Sequence, residues 1–231
     1  MADPGKIQHS RKEAHDIAMS CSDDDTKPLI EYYNKTAETY DKYLDVTGKD
    51  IGALEYSKVI EKHQPNKDVR ILDAAAGTGI LGQKLKRLGY TNIDAMEPAI
   101  GMLKQAQTKG IYCDYICDMI RPDEKTQVPD DTYDVVCVLG GVTFACITPD
   151  SFPELIRITK KGGLFTFCMP EYTTKTQTID PKFLQDNVEA DLQALVAEGL
   201  CSKWSKEPVT FYDASQEHGK EKGDVYILIV A

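Results

Sequence analysis

The stretch Ile71-Leu72-Asp73-Ala74-Ala75-Ala76-Gly77-Thr78-Gly79 constrains this chain more than any other. A short apolar run ends in an acid, small residues follow, and a helix-forming segment opens. A parallel α/β sheet presents a loop to a nucleotide-like ligand in this order. Small residues let the backbone come close, and the ligand lies beyond the carboxyl ends of the strands. The stretch runs on to Gly82, so Gly77-Thr78-Gly79-Ile80-Leu81-Gly82 matches the dinucleotide-binding fingerprint. It also matches, less one glycine, an acid-x-Gly-x-Gly-x-Gly signature belonging to a different adenosine-bearing ligand. The glycines alone leave both open.

The pattern around this loop sets the fold class. Residues 29–44 and 50–62 read as two amphipathic helices, the first carrying Tyr32, Tyr33, Tyr40 and Tyr43. The first strong strand is 69–74, and its helix carries Ile80, Leu81, Leu85 and Leu88 up to Gly89. A short strand at 92–96 ends at Glu97, and Pro98 opens a helix closed by Gly110. Strands are expected at 111–117, ending at Asp118, and at 133–139, whose near-continuous apolar run suits a strand covered on both faces. Ser151-Phe152-Pro153-Glu154 reads as a capping box opening a helix to Lys160. Lys161-Gly162-Gly163 then turns into a strand at 164–169. Asp180-Pro181 caps a long helix with Phe183, Leu184, Val188, Leu192 and Leu195 on its apolar face, ending at Gly199. Strands at 208–212 and 225–230 close the chain as a hairpin. Strand–helix alternation of this kind predicts one doubly wound, mostly parallel, seven-stranded α/β sheet. One strand near the C-terminus is antiparallel, and a helical cap precedes the sheet. In these terms residues 1–26 form a flexible polar tail or loosely docked lid, 27–66 the cap and 67–231 the core.

Composition excludes several classes. Of 231 residues 42% are hydrophobic, enough for a core, yet no apolar run approaches the ~20 residues of a membrane helix. The polar N-terminus has no apolar segment of a secretory signal. A net charge of −10 opposes binding to phosphate backbones. The seven cysteines are scattered without a Cys-x-x-Cys, and Cys113 and Cys117 are expected on one strand face with no histidine near in sequence. Buried, reduced thiols in a cytoplasmic protein and no metal site are the expectation.

The acids discriminate between ligands. Asp73 sits at the first strand tip, Glu97 at the second and Asp118 at the third. A pyrophosphate beside Asp73 is repelled, whereas a ligand bearing an amino group and a sulfonium is attracted. Glu97 suits ribose hydroxyls in either case. Three acids on three consecutive tips describe S-adenosylmethionine better than a dinucleotide.

Five stretches in order carry a family resemblance: 71–79, 94–102 (Asp-Ala-Met-Glu-Pro-Ala-Ile-Gly-Met), Cys117-Asp118, 133–141 (Tyr-Asp-Val-Val-Cys-Val-Leu-Gly-Gly) and 159–165 with its Lys-Lys-Gly-Gly turn. The chain resembles the class I S-adenosylmethionine-dependent methyltransferases from about Leu29 to its C-terminus. The segment Tyr33-Asn34-Lys35-Thr36-Ala37-Glu38-Thr39-Tyr40-Asp41 looks like the Tyr-Asp-x-x-Ala-x-x-Tyr-Asp element of small-molecule members. Details such as Gly-Met-Leu-Lys-Gln-Ala are similar to the group named for the Williams–Beuren chromosome region.

The resemblance implies roles for particular residues. Asp73, Gly77 and Gly79 hold the methionine moiety, Glu97 the ribose, and Asp118 the adenine amino group with Met119 beside the ring. Leu139 lines the sulfonium side, and Tyr33 and Tyr40 close over the cofactor or pack helix on helix. Pro98 and Met102 lie in the second matching segment as further cofactor contacts. Ala75 departs from the family's usual glycine and is expected to fit by avoiding positive φ. No catalytic base is assigned. Gly141, Thr143, Phe144, Glu171, Tyr172 and His218 lie in loops that reach the same mouth. The run Leu139-Gly140-Gly141-Val142 lacks the Asn/Asp-Pro-Pro-aromatic motif of enzymes that methylate base amines, so a small-molecule acceptor is expected. A nicotinamide-dependent oxidoreductase and a non-catalytic cofactor-binding module remain the alternatives.

Overall fold

The computed structural model describes residues 10–22, 25–46, 50–171, 183, 185–214 and 219–231. Three helices come first: α1 (Arg11–Ser20), α2 (Lys27–Val46) and α3 (Asp50–His63). The alternating part follows as β1 (Ile71–Ala74), α4 (Ile80–Arg87), β2 (Ile93–Met96), α5 (Ile100–Thr108), β3 (Tyr115–Ile116) and β4 (Tyr133–Leu139). A 3-10 turn (Pro149–Ser151) leads into α6 (Phe152–Ile158) and β5 (Thr159–Pro170), then α7 (Gln185–Ala197), β6 (Cys201–Ala214) and β7 (Gly219–Val230).

The strands form one seven-stranded sheet in the order β3-β2-β1-β4-β5-β7-β6. β1 to β5 are parallel, and β7 runs antiparallel to both β5 and β6. The expected mostly parallel sheet with one reversed strand near the C-terminus is thus what forms. The order also departs from the all-parallel 3-2-1-4-5-6 arrangement of the dinucleotide-binding fold. Alternation along the strands divides the core. Leu72, Val136, Val138, Phe165 and Phe167 face α6 and α7, meeting Phe152, Leu155, Val188 and Leu192. Ile71, Val135, Cys137 and Leu164 face the opposite way, against Tyr56 and Ile60 of α3, Leu81 and Leu85 of α4 and Leu103 of α5. α3 therefore covers the sheet. Its contact is close, since a Cβ on Gly52 would stand 2.5 Å from the Phe211 carbonyl oxygen.

Several local expectations change. α1 forms before Thr26, where the sequence pattern marks no element. Its Ser10 N–H donates to the Tyr32 hydroxyl at 2.7 Å, and Ala14 is its buried apolar contact. β3 shrinks to two residues because it is an edge strand, and the Asp114 carboxylate accepts the Tyr115 N–H at 2.8 Å. Cys113 and Cys117 fall outside it and are exposed; all seven thiols are free. Ser151 is not a cap. Pro149 starts the turn earlier, leaving Ser151 in helical backbone, and Glu154 instead accepts from the Thr126 N–H and hydroxyl at 2.8 Å and pairs with Arg157. α6 ends at Ile158, and β5 already begins at Thr159, with a register irregularity where Gly162 and Gly163 pass β4. β6 begins at Cys201 rather than Pro208. The Asp180-Pro181 cap and Leu184 lie outside the described residues. No helix among the described residues is long and apolar enough to cross a membrane.

Candidate cofactor-binding site

A cleft lies over the carboxyl ends of β1, β2, β3 and β4, where strand order reverses between β1 and β4, the usual ligand position in open α/β sheets. It encloses about 820 Å³ of space including its open mouth. Tyr33, Tyr40, Ala75, Gly77, Glu97, Pro98, Met102, Asp118, Met119 and Leu139 all line it, so residues spread over 107 positions of sequence meet at one place. Two sequence candidates, Asp73 and Gly79, are not on its wall. Gly141 is, while Thr143 and Phe144 are half-buried beside it and Glu171 is exposed. Tyr172 and His218 lie outside the described residues.

Asp73 points away from the cleft. As an odd-position residue of β1 it faces α4, buried, and accepts the Tyr112 hydroxyl at 2.6 Å and the Gly82 N–H. Burial pushes its carboxyl up to about 7, against the two hydrogen bonds that pull it down. A carboxyl partly neutral near pH 7 is a weak counter-charge, so the electrostatic case for a cationic ligand rests on the other two acids. Gly79 caps α4 with φ 88°, and a Cβ there would stand 2.9 Å from the Tyr112 ring. A Cβ on Gly82 would collide with the same ring. The first acid and the last two glycines thus serve one purpose, which is to seat Tyr112 beneath the loop. Tyr112 lies 39 residues from Asp73, and no local pattern announces it.

Glu97 and Asp118 are both held by backbone donors. Glu97, at the tip of β2, is buried and accepts the N–H groups of Gly77 and Ala99, both at 3.0 Å. It ties the glycine loop to the start of α5. Burial raises its pKa, opposed by those two donors. Asp118 accepts the Met119 N–H at 2.8 Å through one oxygen and the Gln127 N–H at 3.1 Å through the other. Each carboxylate oxygen keeps a further lone pair, so both acids are held in place and still able to accept. Burial also raises the Tyr40 phenol and pushes the Cys146 thiol up to about 12.

α2 roofs the cleft. Tyr33 and Tyr40 meet edge to face at 6.1 Å and pack on Ala99 and on Met102 of α5 while lining the cavity. The Asn34 amide oxygen accepts the Gly101 N–H at 2.6 Å, and a Cβ on Gly101 would stand 2.9 Å from the Asn34 carbonyl oxygen. Asp41 accepts the hydroxyl of Thr78, the residue between the two loop glycines, and pairs with Lys109 at 2.6 Å. One carboxylate therefore joins roof, glycine loop and the end of α5. Replacing Asp41 by asparagine is expected to loosen α2 over the cleft by about 1 kcal/mol, the worth of a partly exposed ion pair. Faster amide exchange along α2 with an unchanged rate in β4 is the expected result, read by hydrogen-exchange mass spectrometry.

Ala75 corrects an expectation. It does not avoid positive φ but adopts 57°. Ala145 adopts 59° and lines the same cleft. This conformation costs an alanine about 1–2 kcal/mol. Asp131 is the third non-glycine of this kind among the described residues, in an exposed turn that aspartate tolerates.

Comparison with known proteins agrees with this geometry. Residues 71–163 match a family model described as a methyltransferase domain. Over 137 residues the chain is 31% identical to methyltransferase-like protein 27 of Homo sapiens, covering 59% of this chain and 52% of that protein. Over 144 residues it is 28% identical to a malonyl-[acyl-carrier protein] O-methyltransferase of Buchnera aphidicola, covering 62% of this chain and 54% of that protein. The chain thus spans about half the length of these curated relatives. Among solved structures, the magnesium protoporphyrin IX methyltransferase of Synechocystis PCC 6803 with bound SAH superposes with a TM-score of 0.62 at 12% identity, over 90% of this chain and 100% of that one. At that identity the likeness concerns the fold.

Proposed function

We infer that this chain, whose residues 71–163 match a methyltransferase domain, is of the class I S-adenosylmethionine-dependent kind and transfers a methyl group from S-adenosylmethionine to a small-molecule acceptor. The observation that carries this reading is the pair of backbone-held acids, Glu97 and Asp118, on adjacent strand tips within one cleft at the reversal of strand order. Their free lone pairs fit an adenosine: Glu97 accepts from the ribose hydroxyls and Asp118 from the adenine amino group, with Met119, Pro98 and Met102 against the ring. Gly77 and Leu139 border the methionine end, and Tyr33 and Tyr40 close over it. Asp73 and Gly79 support the loop from behind through Tyr112.

When bound, S-adenosylmethionine supplies an electrophilic methyl group on a sulfonium. The protein's part is to position that group and exclude water. The α2 roof excludes water, while Glu97 and Asp118 fix the nucleoside end so that the other end lies at β1 and β4. Tyr40 and Cys146, both kept protonated by burial, do not act as bases at neutral pH. A small acceptor is supported by the roofed cleft, the net charge of −10 and the Leu139-Gly140-Gly141-Val142 sequence after β4. The free thiols support a cytoplasmic setting. The test is a cofactor-loaded screen of a metabolite extract for S-adenosylhomocysteine release. Release with at least one fraction is expected; cofactor binding without release from any fraction would leave a binding module instead.

A further inference from the structure

A threonine just before a helix ordinarily turns its hydroxyl to the N–H groups of the first turn. Thr26, which precedes α2, uses its hydroxyl otherwise. The first-turn donors are met without it. The Lys27 N–H goes to Asp25 at 3.3 Å, Pro28 has no N–H, and the Leu29 and Ile30 N–H groups go to the Thr26 carbonyl at 3.1 and 3.2 Å. The buried Thr26 hydroxyl instead donates to Met119 Sδ at 3.4 Å, across 93 positions of sequence. A thioether is a weak acceptor, so this contact adds little stability that a valine of the same shape would lack. Its effect falls on Met119. That side chain is long and adaptable, and it lines the cleft beside Asp118, which accepts the Met119 N–H at 2.8 Å. Met119 is therefore fixed at both ends, its backbone by Asp118 and its sulfur by Thr26. Leu29 and Ile30, in the turn that Thr26 opens, line the same cleft.

We propose that Thr26 is a positioning residue for the nucleoside end of the cofactor, its hydroxyl holding the Met119 side chain ready as one wall of the adenine subsite. The inference rests on the functional reading above, which sets Met119 against the adenine ring. Without the hydroxyl, Met119 samples other rotamers in the ligand-free protein, and binding has to order it. Adenine binding and the start of α2 are thereby linked through one side chain.

Calorimetry on the full chain with S-adenosylmethionine and with S-adenosylhomocysteine tests this in T26V, T26S, M119L and the double variant T26V/M119L. T26V is expected to weaken both ligands by the same factor, about three- to tenfold, the cost of ordering one long side chain on binding. The two ligands share the adenosine and differ at the sulfur, so an equal loss places the effect away from the reacting end. T26S keeps the hydroxyl and binds as the unaltered chain does. In the M119L background, which lacks the sulfur, T26V no longer weakens binding. Unchanged affinity in T26V overturns the proposal, as does a loss confined to S-adenosylmethionine or one that persists in T26S. The same loss from T26V in the M119L background also overturns it, since it marks fraying of α2. Failure of the unaltered chain to bind either ligand overturns the functional reading itself, and this inference with it.

Discussion

Replacing Glu97 by glutamine is expected to weaken S-adenosylmethionine binding by about 10- to 10²-fold while Tm falls by several degrees. The carboxylate accepts from Gly77 and Ala99 with separate oxygens. Glutamine keeps one acceptor and turns its amide N–H₂ toward the other donor, so one buried N–H loses its partner at a cost of about 1–3 kcal/mol. The ribose loses a charged acceptor worth a further ~1.5–3 kcal/mol. The lost N–H partner weighs on stability in the free and the bound protein alike, so the ribose contact alone sets the affinity, a loss of about one to two orders of magnitude in Kd. The protein tolerates the stability part because the two loops remain tethered elsewhere, by Asn34 to Gly101 and by Asp41 to Thr78. Calorimetry on the variant checks the affinity, and a thermal melt checks the fold.

Asp73 is expected to govern stability as a function of pH. Its folded pKa, raised to about 7 by burial, lies above the unfolded value near 4. The folded state therefore holds this proton more tightly than the unfolded state does. The group's contribution to stability is complete below pH 4 and is lost as pH rises from about 4 to about 7. Asparagine fills the same space, keeps partners for Tyr112 and Gly82, and does not ionise. The Tm of D73N minus that of the unaltered chain should thus climb between pH 4 and pH 7 and level off above. A shift of this size amounts to several degrees in a chain of this length. A difference flat across that window would show that Asp73 titrates as an ordinary surface carboxylate. D73A is harsher: it strands the Tyr112 hydroxyl and the Gly82 N–H, so it should lower Tm as well as affinity.

These two acids also mark where sequence reasoning succeeds and where it stops. Glu97 is legible because strand, acid and proline fall in order; of its partners, Ala99 lies just beyond it and Gly77 in the loop after β1. Asp73 is visible for the same reason, yet its partner Tyr112 is a tertiary contact that only the folded chain assembles. The third glycine of the fingerprint looks like a phosphate feature and instead makes room for that ring. Ala75 is misjudged because burial against Gly141 outweighs the local preference for negative φ. Ser151 has every local mark of a cap, but Pro149 starts the turn earlier and Glu154 is claimed by Thr126 and Arg157. α1 escapes notice because, among its described side chains, Ala14 is the one that is buried, too little apolar periodicity to stand out from a polar tail. β4 is the opposite case: an apolar run with Val135, Val136, Cys137 and Val138 wholly buried can only be a central strand.

On the proposed function, the acids at the strand tips select S-adenosylmethionine where the glycines alone would permit a dinucleotide. Titration calorimetry of the full chain with S-adenosylmethionine and, separately, with NAD tests this directly. One saturable site for S-adenosylmethionine, weakened in E97Q, and no measurable heat of binding with NAD are the expected results. Tight NAD binding with no S-adenosylmethionine binding would contradict that function.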